Sequence, residues 1–153
     1  MEHRAFATSE PVVQGLIEAV CAWQAALEQA LSDSGISYTK WLLLRAIACG
    51  DFIRHQAYRG QILIDADLSE RLLEELHAHG WIELAEAPRI ADSAHGRLER
   101  VWQAVKALHS VSVAAFNPQE RAALSALLRR MSQTLGDHTA RRRKHGTPAP
   151  VPA

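Results

Sequence analysis

Ile64-Asp65-Ala66-Asp67-Leu68-Ser69-Glu70-Arg71-Leu72-Leu73-Glu74-Glu75-Leu76-His77-Ala78-His79-Gly80-Trp81-Ile82-Glu83 reads as a helix, a stop and the start of a strand. Asp65 or Asp67 supplies an N-cap, and Asp67 with Glu70 has the spacing of a capping box. Leu68, Leu72, Leu73 and Leu76 recur at three-to-four spacing and form one apolar stripe, so the helix packs by one face. Gly80 ends it, because glycine takes the left-handed conformation that closes a helix without a steric penalty. Trp81-Ile82-Glu83 then opens a hairpin. The helix is acidic: Asp65, Asp67, Glu70, Glu74, Glu75 and Glu83 stand against the single Arg71.

Upstream, Ser9 is placed as a cap with Pro11 in the first turn, and Val13, Leu16, Ile17, Val20, Trp23, Leu27 and Leu31 recur helically until Gly35. Ser37 caps a second helix, Tyr38 to Cys49, whose Trp41, Leu42, Leu43, Leu44, Ala46 and Ile47 leave hardly any polar face, which puts it at the centre of the fold. From Asp51 to Leu63 the residues Phe52, Ile53, Tyr58 and Ile62 suggest a helix and turn, interrupted by Gly60. Downstream, a short hairpin turns near Ala85-Glu86-Ala87. Ser93 then caps a helix marked by Leu98, Val101, Trp102, Val105 and Leu108. Asn117, Pro118 and Glu120 open a last helix with Leu124, Leu127, Leu128, Met131 and Leu135 as its stripe. Residues 141–153, with Arg141-Arg142-Arg143-Lys144 and then proline, lack apolar periodicity and read as a disordered tail.

A chain of 153 residues, 48% hydrophobic with few aromatics and glycines, has enough apolar surface for one α-rich domain. Seventeen basic and seventeen acidic residues cancel, so any affinity for nucleic acid must come from local charge. No apolar run approaches the ~20 residues that span a bilayer, and no signal core follows Met1, so a cytoplasmic protein is expected. Cys21 and Cys49 are therefore not expected to pair, and Cys21, midway along an apolar helix, is expected to be buried.

The ordered set of Gly35-Ile36-Ser37-Tyr38-Thr39-Lys40-Trp41-Leu42-Leu43-Leu44-Arg45-Ala46, Arg71 to Leu76 with Gly80-Trp81-Ile82-Glu83, Ser93 to Val113, and Asn117-Pro118-Gln119-Glu120 resembles the multiple-antibiotic-resistance regulator (MarR) family. In that family the corresponding segments are the second helix, the recognition helix with the first wing strand, the long helix after the wing, and the cap of the last helix. The resemblance implies a mainly α winged helix-turn-helix with a small β-hairpin wing and long helical dimerisation segments. Its single domain would cover 1–140, with 10–34 and 93–136 as dimerisation helices and 37–92 as reading head and wing. It implies a homodimeric, repressor-type transcriptional regulator that binds double-stranded DNA and responds to a small aromatic ligand.

On this reading Ser69 and Arg71 lie nearest the bases, and Arg54, Arg59 and Arg89 meet phosphates. Trp23, Tyr38, Trp41, Arg45, Trp102 and His109 are spaced along the segments that resemble the walls of the family's ligand cleft. Two departures keep a second reading open. The recognition helix is acidic, with Glu70 in its first turns, and the wing is short and lacks the family's Asp-x-Arg motif. A degenerate member would keep the dimer and the cleft but bind a protein partner or small molecule instead of DNA. His77 and His79, two apart on a helix, point to different faces, and Asp51 with His55 has no third ligand nearby, so no metal or other cofactor is expected. The sequence also contains no nucleophile elbow, phosphate-binding loop or zinc-protease helix, which argues against an enzyme.

Overall fold

The computed structural model describes residues 10–145, a mainly helical chain with two small antiparallel hairpins. Two compact units follow one another, the first ending at Ser110 and the second beginning at Val111. In the first, α1 (Pro11–Ser32) and α2 (Tyr38–Cys49) precede a minimal hairpin of β1 (Tyr58–Arg59) and β2 (Leu63–Ile64). Next come α3 (Ala66–Ala78), the wing strands β3 (Ile82–Glu83) and β4 (Arg89–Ile90), a 3-10 turn over Asp92–Ala94, and α4 (His95–Ser112). α5 (Pro118–His145) makes up most of the second unit.

The helix boundaries follow from their caps. The Ser37 hydroxyl accepts from the Lys40 amide at 3.3 Å to start α2, and Gly50, in the left-handed region at φ 76°, ends it. α1 is capped by the Glu10 carboxylate, which accepts from the Val12 amide at 2.9 Å; Ser9, the cap expected from sequence, lies outside the described residues. Ser93 caps nothing, because it sits inside the 3-10 turn that leads into α4. At α5 the reciprocal cap forms as the sequence suggests: Asn117 Oδ1 accepts from the Glu120 amide and Glu120 Oε2 from the Asn117 amide, both at 2.9 Å.

Trp41, Leu42, Leu43, Leu44, Ala46 and Ile47 of α2 are all buried, and around them pack Leu27 and Leu31 of α1, Leu72, Leu73 and Leu76 of α3, Ile82 and Ile90 of the wing, and Leu98, Val101 and Val105 of α4. α1 reaches this core only with its C-terminal third. Its outer face leaves Ile17 47% and Val20 44% exposed, and Cys21 beside them is exposed as well, not buried as its apolar neighbours suggested.

Two further segments depart from expectation. Between Asp51 and Leu63 no helix forms; the chain runs irregularly, with His55 at φ 64°, into the β1–β2 hairpin. Gly60 stands at the turn of this hairpin, where a Cβ would meet the Tyr58 phenol ring. Arg141 to Lys144 are not a disordered tail but the last turns of α5. Arginine and lysine are good helix formers, and cations are favoured at a helix C-terminus. Residues 146–153 lie outside the described residues. No helix among those described is long and apolar enough to cross a membrane.

Candidate ligand cavity and recognition face

α1, α2 and α4 converge with their aromatic residues turned toward one another. The Trp41 and Trp102 rings meet edge to face at 4.8 Å, and Trp23 lies nearly parallel to the His109 ring at 6.3 Å. Between them is a cavity of about 110 Å³ lined by Trp23, Leu27, Trp41, Arg45, Gln61, Trp102, Val105 and His109. Five of the six residues singled out for a cleft therefore come together. Tyr38, the sixth, does not line the cavity but donates its hydroxyl proton to Gln61 Oε1 at 2.9 Å.

Leu27 and Val105 were absent from that set although they lie one turn along from Trp23 and Trp102, a spacing that would have found them. Gln61 had no such signal, since it enters from the turn of the unforeseen β1–β2 hairpin. Arg45 is half-buried on the cavity wall and makes no hydrogen bond or ion pair among the described residues. No carboxylate lines the cavity, so its walls offer aromatic faces and cationic or amide donors. At about 110 Å³ the cavity is smaller than the roughly 150 Å³ apolar cavity known to hold benzene, so a planar single ring enters only if the walls give way somewhat.

The recognition face is arranged differently from its sequence reading. Asp65, not Asp67, caps α3, accepting from the Leu68 amide at 2.8 Å. Glu70 turns back to Arg54, which gives it two bonds from Nε at 3.2 and 3.1 Å and one from Nη2 at 3.1 Å, while Nη1 donates to the Ala85 carbonyl at 2.8 Å. Arg54 thus ties the connector before β1 to the recognition helix and to the wing. The hydrogen bonds from Arg54 hold the Glu70 carboxyl below its ordinary range and raise the arginine in turn.

The other DNA candidates divide sharply. Ser69 is buried at 2% exposure, and its hydroxyl has no hydrogen-bond partner among the described residues, so it faces the core and not a groove. Arg89 pairs across the wing with Glu83 through both Nε and Nη2. Arg59 and Arg71 remain exposed and form no hydrogen bond among the described residues. α3 is further held by Lys40, whose ammonium lies 2.7 Å from Glu75 and lowers that carboxyl's pKa, and at its C-terminus by Arg97. Arg97 stacks 4.3 Å over the Trp81 ring and donates to the carbonyls of His79 and Gly80. The two α3 histidines are engaged locally, His77 with the Ile82 carbonyl at 3.1 Å and His79 with that of Glu75 at 2.7 Å.

No family model and no curated protein sequence matches the chain. Solved structures do. Reduced MarR from E. coli superposes with a TM-score of 0.62 at 19% identity, over 81% of this chain and 95% of that one. A MarR-family protein from Mycobacterium tuberculosis in complex with DNA gives 0.61 at 14% identity, over 80% and 98%. A complex of a Mycobacterium tuberculosis MarR-family protein with salicylic acid gives 0.57 at 14%, over 80% and 99%. The α1–α2–α3–wing–α4–α5 succession, with the recognition helix running through Gly80 into a β3–β4 wing, is therefore the winged-helix fold of the MarR-family structures.

Proposed function

We propose that the chain is a homodimeric, cytoplasmic, ligand-responsive transcription regulator of repressor type that acts without a catalytic step. The observation that carries this reading is the pairing, within one unit, of a recognition helix and wing with an aromatic cavity built on the same central helix, α2. The ligand is a small aromatic anion: the tryptophans supply stacking faces, and Arg45 is a cation with no partner among the described residues. Solved relatives of this fold in complex with salicylic acid and with DNA support the two halves of the proposal.

The dimer is supported by apolar side chains that a single chain leaves open, Ile17 and Val20 on α1 and, on α5, Leu127 at 57% and Leu135 at 58% exposure. DNA contact falls to Arg59 and Arg71, since Arg54, Ser69 and Arg89 are engaged or buried. Sedimentation equilibrium should give a dimer at micromolar concentration, and salicylate should quench the tryptophan emission and weaken binding to a DNA duplex. A stable monomer, or a duplex affinity indifferent to salicylate that itself quenches, contradicts the reading.

A second reading has its own observation. Asp67, Glu74 and Glu86 are exposed and form no hydrogen bond or ion pair among the described residues, which suits a basic protein partner better than a phosphate backbone. An intact dimer that binds no duplex even at low salt would select it.

A further inference from the structure

We infer that Gln61 selects the charge of the cavity's occupant and carries its presence to the recognition helix, an inference that rests on the ligand reading above. Of the residues lining the cavity, Gln61 alone comes from the connector between α2 and α3; the others sit on α1, α2 and α4. Its side chain is oriented from one side. Tyr38 occupies Oε1, which leaves the amide nitrogen a donor with no protein acceptor among the described residues. Arg45 is the one arginine or lysine on the wall and, among the described residues, no carboxylate lines it, so an anionic head group meets the Arg45 guanidinium and the Gln61 amide with no like charge beside them.

The backbone at Gln61 has little freedom to absorb a displacement. Gly60 on one side lies close under the Tyr58 ring, and its amide bonds the Ile62 carbonyl at 3.3 Å across the turn. On the other side the strand reaches buried Ile64 and then Asp65, the cap of α3. Four residues of extended chain reach at most about 14 Å, so no slack loop separates the cavity wall from the cap. An occupant that draws the Gln61 amide would favour whatever hairpin geometry keeps that contact, which is the differential interaction a population shift requires.

The test uses the full chain with salicylate and its neutral amide, salicylamide, as probes, read by tryptophan quenching, and hydrogen exchange of the amides from Ile62 to Glu70 with and without salicylate. Gln61→Glu keeps an acceptor for Tyr38 but places a carboxylate on the wall. It should weaken salicylate by about tenfold or more while changing salicylamide less than about threefold. Gln61→Ala should still quench with salicylate, within about tenfold of the parent, but lose the salicylate-induced change in exchange at Leu68 and Ser69. Tyr38→Phe, which leaves the cavity wall intact, should reduce that change in part.

Equal loss of both probes in Gln61→Glu, or a full exchange response in Gln61→Ala, overturns the inference. Quenching of the parent protein without any exchange response overturns it while leaving the ligand reading in place. No quenching by millimolar salicylate removes the ligand reading and this inference together.

Discussion

Arg71→Ala should flatten the salt dependence of DNA binding, and Arg54→Ala should leave it unchanged. Four arginines are candidates for phosphate contact, but Arg54 is bonded to Glu70 and the Ala85 carbonyl and Arg89 to Glu83, so only Arg59 and Arg71 are without a hydrogen bond among the described residues. On the proposed dimeric reading about four phosphates are neutralised, and at about 0.9 per phosphate the slope of log K against log salt is about −3.6. Raising salt from about 50 to 200 mM should weaken binding by about 150-fold; with all four arginines engaged the slope would be about −7 and the loss about 20,000-fold. Removing Arg71 takes away two contacts per dimer and should bring the slope to about −1.8. Anisotropy of a labelled duplex at several salt concentrations measures this directly, with sedimentation confirming that each variant stays dimeric. A parent slope of −6 or steeper, or an Arg54→Ala slope as flat as that of Arg71→Ala, would refute the assignment.

Three other substitutions probe the same geometry. Ser69→Ala should raise stability by about 1 kcal/mol, because it removes a buried hydroxyl without a partner and improves helix propensity, and should leave duplex affinity unchanged; a fall in the urea midpoint would show a bond the hydroxyl makes. Trp41→Ala should cost about 3–5 kcal/mol, as expected for a fully packed indole, and abolish salicylate quenching, both measurable by urea titration and fluorescence. The Glu70 carboxyl is held below its ordinary value of 4.5, so its bond to Arg54 adds stability in full above about pH 4.5 and loses it as pH falls through the lowered value. Glu70→Gln should remove that part of the acid dependence, and an unchanged pH profile of unfolding would contradict it.

The sequence is legible where a segment carries its own stop signals and a one-faced stripe. Ser37 with Gly50, Asp65 with Gly80, and Asn117 with Glu120 mark helix ends by hydrogen bonds that are local in sequence, and the structure forms all of them. The connector from Asp51 to Leu63 was misread because its scattered apolar residues imitate a helix, while the deciding contact, a tyrosine ring lying over Gly60, is a steric fact that no periodicity records. The same error hid Gln61, since a residue in an unforeseen turn cannot be placed on any wall. Cys21 was misplaced for another reason: helical patterning shows that a face is apolar, not whether the chain itself covers it.

Most of the acidity of α3 has a partner close by. Of its six acidic residues with Glu83 included, Asp65 is a cap, Glu70 belongs to Arg54, Glu75 to Lys40 and Glu83 to Arg89, and only Asp67 and Glu74 form no hydrogen bond or ion pair. Three of those partners lie outside the helix, at sequence distances a charge count along one segment does not see. The face is therefore far less repulsive to DNA than its composition says. Yet each neutralised carboxylate also withdraws a cation from the surface, and Arg54 and Arg89 are the two that a phosphate would have used. What remains is a nearly neutral reading face with two exposed arginines per chain. If this face meets DNA, it gives little electrostatic steering, and discrimination between duplexes would rest on shape and base contacts more than on charge.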